Sequence, residues 1–299
     1  KAQTAAVTDL NADSADVNAT VTYTKVGSLV PSSSDGHFPG ARPVVYPNDP
    51  SDATKVTPAG VPTVPGYTAH DPEGHVLTPG SSYQPSDPTK DTTITYTADK
   101  QEGSVSYVDD TTGKTLKTDS ISGTTGSKSS YSTSGSIADY KKQGYELVTD
   151  GYPADLTFDN DDTTAQNFTV HLKHRLTPVN PTAPQTPGAP INPDEPDGPK
   201  WPSSTNYNKT VNETISYVDQ NGQVVAKQHT DSVNFTRTVV VDNVTGEVIT
   251  SGAGTTAWTA TNGDTTFDAV VSPVVPGSVA DKAQTAAVTD LNADSADVN

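Results

Sequence analysis

The chain has 299 residues, of which 36 are acidic and 18 basic, giving a net charge of −18. This balance argues against nucleic acid and anionic membrane surfaces as partners, because phosphate binding needs a basic face. The absence of cysteine excludes disulfides, catalytic thiols and cysteine-ligated metals. No apolar run reaches the roughly 18 residues that a membrane span needs.

Only 31% of the residues are apolar and 6% aromatic, while the chain holds 22 Gly and 24 Pro. This composition favours small β-modules joined by turns and stiff linkers over an α/β enzyme. Methionine is absent, and neither a signal peptide nor a wall-sorting tail is visible, so we interpret the sequence as a fragment of a longer protein. A cysteine-free, threonine-rich acidic chain suits the outer surface of a bacterium.

The first 18 residues, KAQTAAVTDLNADSADVN, recur letter for letter as residues 282–299. The offset between Lys1 and Lys282 is therefore 281 residues. An identical run of this length does not arise by chance. We predict that the chain is one unit of a tandem array, followed by the start of the next copy.

Residues 19–25 (ATVTYTK) alternate polar and apolar side chains and predict a strand. We interpret residues 1–30 as the closing strand region of the preceding unit's second module. Residues 31–100 are predicted to be a Pro-rich β segment, broken too often by Pro and Gly for regular structure over most of its first half. That segment ends in a strong strand predicted at 92–98 (TTITYTA).

Residues 101–176 show the element order strand, strand, helix, strand, strand. The strands are predicted at 103–108, 114–120, 145–149 and 167–173, and the helix at about 137–143. Ser136 is placed to cap the helix, and Gly144 to end it in the left-handed conformation. This order predicts a β-grasp module, in which the first and last strands pair in parallel at the sheet centre with the helix across one face.

Residues 177–208 are predicted to be an extended, semi-rigid linker because Pro recurs throughout TPVNPTAPQTPGAPINPDEPDGPKWP. Residues 209–299 are predicted to form a second, all-β module. Its strand candidates lie at 211–218, 224–229, 235–241, 247–250, 256–260 and 266–270. By comparison with the earlier strands, this module lacks its final strand, which should be the sequence ATVTYTK.

Several motifs resemble the mucus-binding (Mub, MucBP-type) repeats of lactobacillal surface adhesins. The matching stretches are SYVDDTTGK, GYELVTDG, ETISYVDQNGQV, NFTRTVVVDNVTGEV, TTAWTA and PNDPSDATKVTPAGVPTVPGYTA. The resemblance covers nearly the whole chain, and it implies cell-wall attachment and adhesion to mucin glycans, with terminal sialic acid as one target. It also implies immunoglobulin binding in some members, but it carries over no site residue.

The predicted fold is mainly β with minor α. It consists of elongated tandem β-grasp (ubiquitin-like) modules joined by Pro-rich linkers.

No catalytic motif is present. The histidines form no metalloprotease pattern, and neither a nucleophile-elbow motif nor a phosphate loop appears. We therefore predict a non-enzymatic protein without a cofactor, with calcium as the one possible exception. Asp159, Asp161 and Asp162 concentrate oxygen ligands in one turn, which suits calcium. Ordinary solvated turn chemistry is the alternative.

The strongest basic concentration is VHLKHR at residues 170–175. Val170 and Leu172 should point inward. We predict that Lys173, His174 and Arg175 form a positive spot that receives a sialate carboxylate or a sulfate. The alternative is that Lys and Arg protect the end or edge of a strand.

Aromatic faces also suit sugars, and Trp258 is a candidate for such a contact. Core packing is the alternative interpretation of this residue.

The predicted function is a bacterial surface adhesin repeat that binds host mucin glycoproteins through many weak sites. Repetition of a weak site raises avidity by ~10²–10⁴. The units are predicted to be monomeric beads on a string in the extracellular space. One alternative is an immunoglobulin-binding module whose sheet edge accepts an added strand. The other is a passive stalk.

Overall fold

The computed structural model describes residues 1–252 and 254–299. These residues form seventeen β-strands and a single α-helix, which confirms a mainly β chain with little helix. Within the same ranges, no helix has both the length and the apolarity to cross a membrane. The chain divides into two compact units. The first comprises Lys1–Tyr107, Thr115–Ser132 and Gly151–Val170, and the second Val108–Lys114, Thr133–Asp150 and His171–Asn299.

The elements follow the chain in this order. The strands before the helix are β1 (Ser28–Ser32), β2 (Val44–Val45), β3 (Ala59–Gly60), β4 (Tyr67–His70), β5 (Val76–Leu77), β6 (Ser82–Tyr83), β7 (Thr92–Ala98), β8 (Lys100–Asp109) and β9 (Lys114–Thr124). After the helix α1 (Ser134–Lys142) come β10 (Tyr145–Asp150), β11 (Gln166–His174), β12 (Leu176–Val179), β13 (Asn208–Val218), β14 (Val224–Thr236), β15 (Val239–Asp242), β16 (Val248–Ile249) and β17 (Thr259–Ala260). A short 3-10 helix, Ser204–Asn206, precedes β13.

The first sheet has the strand order β2-β1-β7-β4-β5. Its central pair is parallel, with β1 and β7 in register from Leu29↔Thr92 to Ser32↔Thr95. The strand predicted at 92–98 is confirmed with the same bounds. The region expected to be largely irregular is therefore a sheet-forming module, and β1 crosses the boundary expected between residues 30 and 31.

Alternation along β7 explains why this sheet has a core. Ile94 and Tyr96 point inward and are 0% and 1% exposed, while the threonines between them face solvent. Phe38 stacks on Tyr96 with ring centroids 5.2 Å apart. The chain enters β1 through Gly27, where an added Cβ would lie 2.4 Å from the Lys90 carbonyl carbon. Only glycine permits this close approach before the two strands pair.

The second sheet has the order β10-β11-β8-β9, with α1 inserted between β9 and β10 in the chain. The order strand, strand, helix, strand, strand is thus confirmed. The strands β8 and β11 are neighbours. Ser104 bonds to Asn167 across a separation of 63 residues, and Asp110 bonds to His171 across 61. A nearly constant separation is the mark of parallel strands.

The helix begins earlier than expected. Its N-cap is Thr133 rather than Ser136, and the Thr133 hydroxyl donates to Asp150 Oδ2 at 2.6 Å instead of capping the helix. The expectation for the C-terminus is confirmed, since Gly144 has a φ of +99°. A Cβ there would lie 2.5 Å from the Asn243 carbonyl oxygen, so a larger residue does not fit.

The Pro-rich stretch predicted as an extended, semi-rigid linker over residues 177–208 is in part packed against later strands. Its first residues form β12, which pairs antiparallel with β15 in the sheet β12-β15-β16. Val179 and Ile191 from this stretch are buried in one cluster with Val239 and Val241. Frequent Pro predicted an extended chain, but strand pairing of β12 and the burial of these apolar side chains dock it on strands much later in the sequence.

The last sheet has the order β13-β14-β17. The predicted strand candidates 224–229 and 235–241 are not separate units of structure, because β14 runs unbroken to Thr236 and β15 begins at Val239. The core beside this sheet consists of Val211, Val233, Phe235, Phe267, Leu291 and Ala293.

We predict that Leu29→Ala destabilises the first module by about 2–5 kcal/mol, because it opens a cavity at a fully buried position of the central strand pair. Urea unfolding measures this change. Val45→Ala, at a side chain that is 63% exposed, is the matched control and should change stability by less than about 0.5 kcal/mol. Equal, small effects of the two substitutions would show that residues 28–98 have no packed core.

Candidate functional site

The predicted basic spot is only partly at the surface. Val170 and Leu172 are 0% exposed, as expected. The same alternation along β11 places His174 on their side of the strand, and its side chain is 4% exposed. His174 therefore does not share the surface of Lys173 and Arg175, which corrects its assignment to a glycan-binding spot.

His174 lies between two carboxylates. Its Nε2 is 2.7 Å from Asp109 Oδ2, and its Nδ1 is 2.7 Å from Asp242 Oδ2. Burial alone would lower the pKa of His174, but its hydrogen bonds to Asp242 and Asp109 outweigh burial and raise the pKa. Burial likewise opposes the lowered pKa of Asp109, which the hydrogen bond from His174 and those from Thr112 and Thr111 bring about. The group is a buried ion triad that joins β8, β11 and β15.

Lys173 and Arg175 remain exposed. The Lys173 ammonium is 3.3 Å from Glu146 Oε1, so part of its charge is matched locally. The backbone N–H of Arg175 donates to the Gly144 carbonyl at 2.9 Å, and its carbonyl accepts from the Asn243 N–H at 2.9 Å. Their role as glycan contacts stays a prediction.

An open cleft of about 440 Å³ adjoins this backbone. It is lined by Gln143, Tyr145, Asn192, Glu195, Gly198, Pro199 and Val244. Three of these residues neighbour Gly144 and Asn243 in sequence, the two residues to which the Arg175 backbone is bonded. The cleft is thus lined by amide groups, a carboxylate and an aromatic ring. The Arg175 backbone lies beside it. The cleft could not be predicted from the sequence because four of its seven lining residues come from the stretch interpreted as a linker.

Trp258 is half-buried beside the last core cluster and contacts two cations. The Arg237 guanidinium carbon lies 4.5 Å from the ring centroid, and the Lys209 ammonium 5.4 Å. Arg237 is held by a hydrogen bond from its Nε to the Asn206 carbonyl at 2.7 Å. The Lys209 ammonium is also 3.4 Å from Asp294 Oδ1, so part of its charge is matched locally. We call Lys209, Arg237 and Trp258 the cationic surface. The sequence singled out Trp258 but not its two cationic neighbours, since the three residues come together only through the pairing of β13, β14 and β17.

The three aspartates predicted to bind calcium take different partners. Asp159 Oδ1 accepts from the Asp161 N–H at 3.1 Å, and Asp161 Oδ1 accepts from the Thr163 hydroxyl at 2.6 Å. Asp162 Oδ1 instead accepts from Gln101 Nε2 at 2.6 Å. Among the described residues, the acidic and histidine ligand atoms that converge belong to two other groups, Asp71–Glu73–His75 and Glu213–His229–Asp231. The calcium site at residues 159–162 stays a prediction.

Asp162 also lies against Asp99, in a groove beside Thr68 and Tyr96. Burial raises the pKa of Asp99, and the neighbouring Asp162 raises it further, while a hydrogen bond from Thr68 acts in the opposite direction. Two adjacent carboxylates either share a proton or attract a cation.

A family model described as a mucin binding domain matches residues 101–174, and one described as a Muc B2-like domain matches residues 202–299. The crystal structure of Mub-RV is 34% identical, covers 66% of this chain and 94% of that chain, and superposes with a TM-score of 0.49. The type 2 repeat of the mucus binding protein MUB from Lactobacillus reuteri is 32% identical, covers 63% of this chain and 91% of that chain, and has a TM-score of 0.41. No curated protein matches the chain.

These findings define first a protein built of tandem β-rich modules of the mucin-binding type. The sequence identity over nearly the full length of Mub-RV, rather than the superposition, then identifies the family. The chain belongs to the mucus-binding (Mub) repeat family.

We predict that stability depends on pH through His174. Its pKa in the folded state is raised above the ordinary value of 6.5. The ion triad therefore stabilises the fold fully below that pH, and its contribution is lost as the pH rises through the raised pKa. Urea unfolding at pH 6 and pH 8.5 should show this loss.

His174→Gln should abolish that pH dependence and cost about 3 kcal/mol at pH 6, because it leaves two buried carboxylates without a cation. His171→Gln is the control, since this imidazole is 42% exposed and bonds only to Asp110 among the contacts described. An unchanged pH dependence in His174→Gln would contradict the assignment.

We predict that Asp162→Asn raises the free energy of unfolding by about 0.5–1 kcal/mol in EDTA at pH 7, because it removes repulsion from Asp99 while keeping an acceptor for Gln101. The same measurement in excess calcium tests the ion site. A calcium-dependent gain in the wild type that disappears in Asp162→Asn would support calcium there. Destabilisation of the variant in EDTA would contradict the repulsion.

Proposed function

We propose that the chain is a non-enzymatic adhesion repeat of a bacterial surface protein that binds mucin glycans. The observation that carries the proposal is family membership, because the matched solved repeat comes from a protein named for mucus binding. The match to a mucin binding domain at residues 101–174 supports the same function. We propose with it an extracellular location and attachment to the cell wall.

We further propose that acidic glycan ends, such as terminal sialic acid or sulfate, bind at the cationic surface. A carboxylate or sulfate is recognised best by a guanidinium with free N–H groups. Arg237 uses its Nε to bond to Asn206, and no hydrogen bond from its two terminal nitrogens is described, so these nitrogens keep donors for a ligand. Packing on Trp258 orders the guanidinium before binding, so less conformational entropy is lost.

The net charge of −18 explains why such a site is local and weak. An anionic glycan is repelled by most of this surface, so attraction acts only near clustered cations, within about 8–10 Å at physiological salt. A single exposed sugar also buries little area. Useful affinity then comes from repetition, since a tethered second contact raises avidity by ~10²–10⁴.

We predict that the double variant Lys209→Ala with Arg237→Gln binds immobilised mucin about tenfold more weakly than the wild type, because it loses charge-assisted hydrogen bonds. Surface plasmon resonance on mucin measures this, and circular dichroism checks the fold. The matched control is Lys227→Ala, which removes one exposed positive charge outside the cationic surface. Removal of the acidic glycan ends with sialidase and sulfatase should abolish the difference between wild type and double variant, and the effect of each enzyme alone shows which acidic group is bound.

A second double variant, Lys173→Ala with Arg175→Ala, separates the spot predicted from sequence from the cationic surface. Loss of mucin binding only in this variant would show that the glycan binds at residues 173–175 and not at the cationic surface. Binding that survives sialidase and follows immunoglobulin would support the immunoglobulin alternative, and absence of binding to both ligands would support a passive stalk.

A further inference from the structure

The duplicated 18-residue segment occupies two different environments. In its first copy, residues 1–18, every residue is exposed, and Leu10 is 67% exposed. In its second copy, residues 282–299, the equivalent Leu291 is 6% exposed. It belongs to the core of the all-β module at residues 209–299, which we call the last module. Identical sequences therefore differ only in what they can dock against, and the second copy shows the docked state.

The docked copy ends by starting a parallel strand on β13. The Val298 N–H donates to the Asn212 carbonyl, and the Thr214 N–H donates to the Val298 carbonyl, both at 2.8 Å. This makes a parallel bridge between Glu213 and Val298. On its other side β13 is paired to β14, and it lies at the edge of the sheet. The parallel ladder therefore starts at Glu213, and among the described residues no strand pairs with Ile215–Val218 on that side of β13.

The first copy of the segment shows what sequence continues this ladder. It is followed by residues 19–25, ATVTYTK, which lie outside every strand. Val21 is 45% exposed and Tyr23 81%, although β-branched and aromatic residues in alternation favour a half-buried strand. Residues 19–25 therefore have the sequence pattern of a strand but are not paired with any strand of a sheet.

Register supports a match between the segment and the open ladder. Extending the Glu213–Val298 bridge in parallel sets the residue equivalent to Ala19 opposite Ile215 and the residue equivalent to Val21 opposite Tyr217. The β13–β14 pairing is irregular between Ile215 and Val218, but the additional residues lie on β14, so the alternation along β13 is kept. Side chains two residues apart along a strand share a face. Ile215 and Tyr217 therefore lie on the face of β13 on which Val211 and Glu213 are buried. The apolar residues of ATVTYTK therefore fall on the core side, and its threonines on the other side. In addition, Glu213 Oε1 is buried without a hydrogen-bond partner at the last formed rung.

We propose that residues 19–25 of a second copy of this unit, joined head to tail, form the closing strand of the last module by parallel pairing with β13. The other two modules close in the same way, through β1 with β7 and β8 with β11. The sequence repeat and the structural module are then out of phase by about 25 residues. Consecutive units share a sheet at each junction, whatever ligand the units bind.

Cysteine accessibility tests the proposal, because the chain has no native cysteine. The protein is a two-unit chain, residues 1–281 followed by residues 1–299, with Val21→Cys placed either in the first or in the second unit. We expect the second-unit cysteine to react with a thiol reagent at least about tenfold more slowly, since it reacts only when the strand opens. Equal rates at the two positions would overturn the proposal.

A calibration is available within the same segment. Val7 is 53% exposed, whereas its equivalent Val288 packs against the last core cluster. In the 299-residue chain, Val288→Cys should therefore react more slowly than Val7→Cys, and their ratio sets the scale for a docked segment.

A second experiment needs no cysteine. Extending the chain after Asn299 by ATVTYTK should slow amide hydrogen exchange at Ser216 and Val218 by at least about tenfold. Their N–H groups lie on the same side of β13 as that of Thr214, which already donates to Val298, and they become hydrogen-bonded to the added strand. The control extension ATPTYTK removes one N–H and disfavours a strand. Equal exchange with both extensions would contradict the closing strand.

Discussion

Parallel pairing of a first and a last strand is the constraint on which this structure depends. In the first module it joins β1 to β7 across about 60 residues of chain, and such a closure is entropically costly until the core forms. The core therefore concentrates on that pair, with Leu29 on one strand and Ile94 on the other, both fully buried. Everything between the two strands is free to carry prolines and turns, because it is held at both ends.

The ion triad likewise joins strands that are far apart in the sequence. His174 is the last residue of a closing strand, and its imidazole bonds to Asp109 at the end of the opening strand and to Asp242 on β15. A charged group in this position is stable only when all its partners are in place. It therefore selects one arrangement of these strands, where apolar contacts alone would tolerate several.

The pattern of neighbouring residues in the sequence predicted those elements whose formation depends on neighbouring residues. The strand at 92–98 is visible in the sequence because Ile94 and Tyr96 alternate with threonines, and Gly144 was identified because a helix must end there. The burial of His174 could not be read from sequence, since its two carboxylates lie 65 and 68 residues away. For the same reason the folding of residues 177–202 and the meeting of Trp258 with Arg237 and Lys209 were invisible: each depends on partners that only the sheets bring together.

The parallel pair β1–β7 also determines how the first module responds to mechanical force. When the chain is pulled from both ends, tension enters at the start of β1 and leaves at the end of β7. Because the strands are parallel, the two pulls oppose each other along the strand axis, and the rungs from Leu29–Thr92 to Ser32–Thr95 are loaded together in shear. A hairpin pulled from its two ends would instead open one rung at a time. The pairing that completes the fold of this module is therefore also what resists its extension.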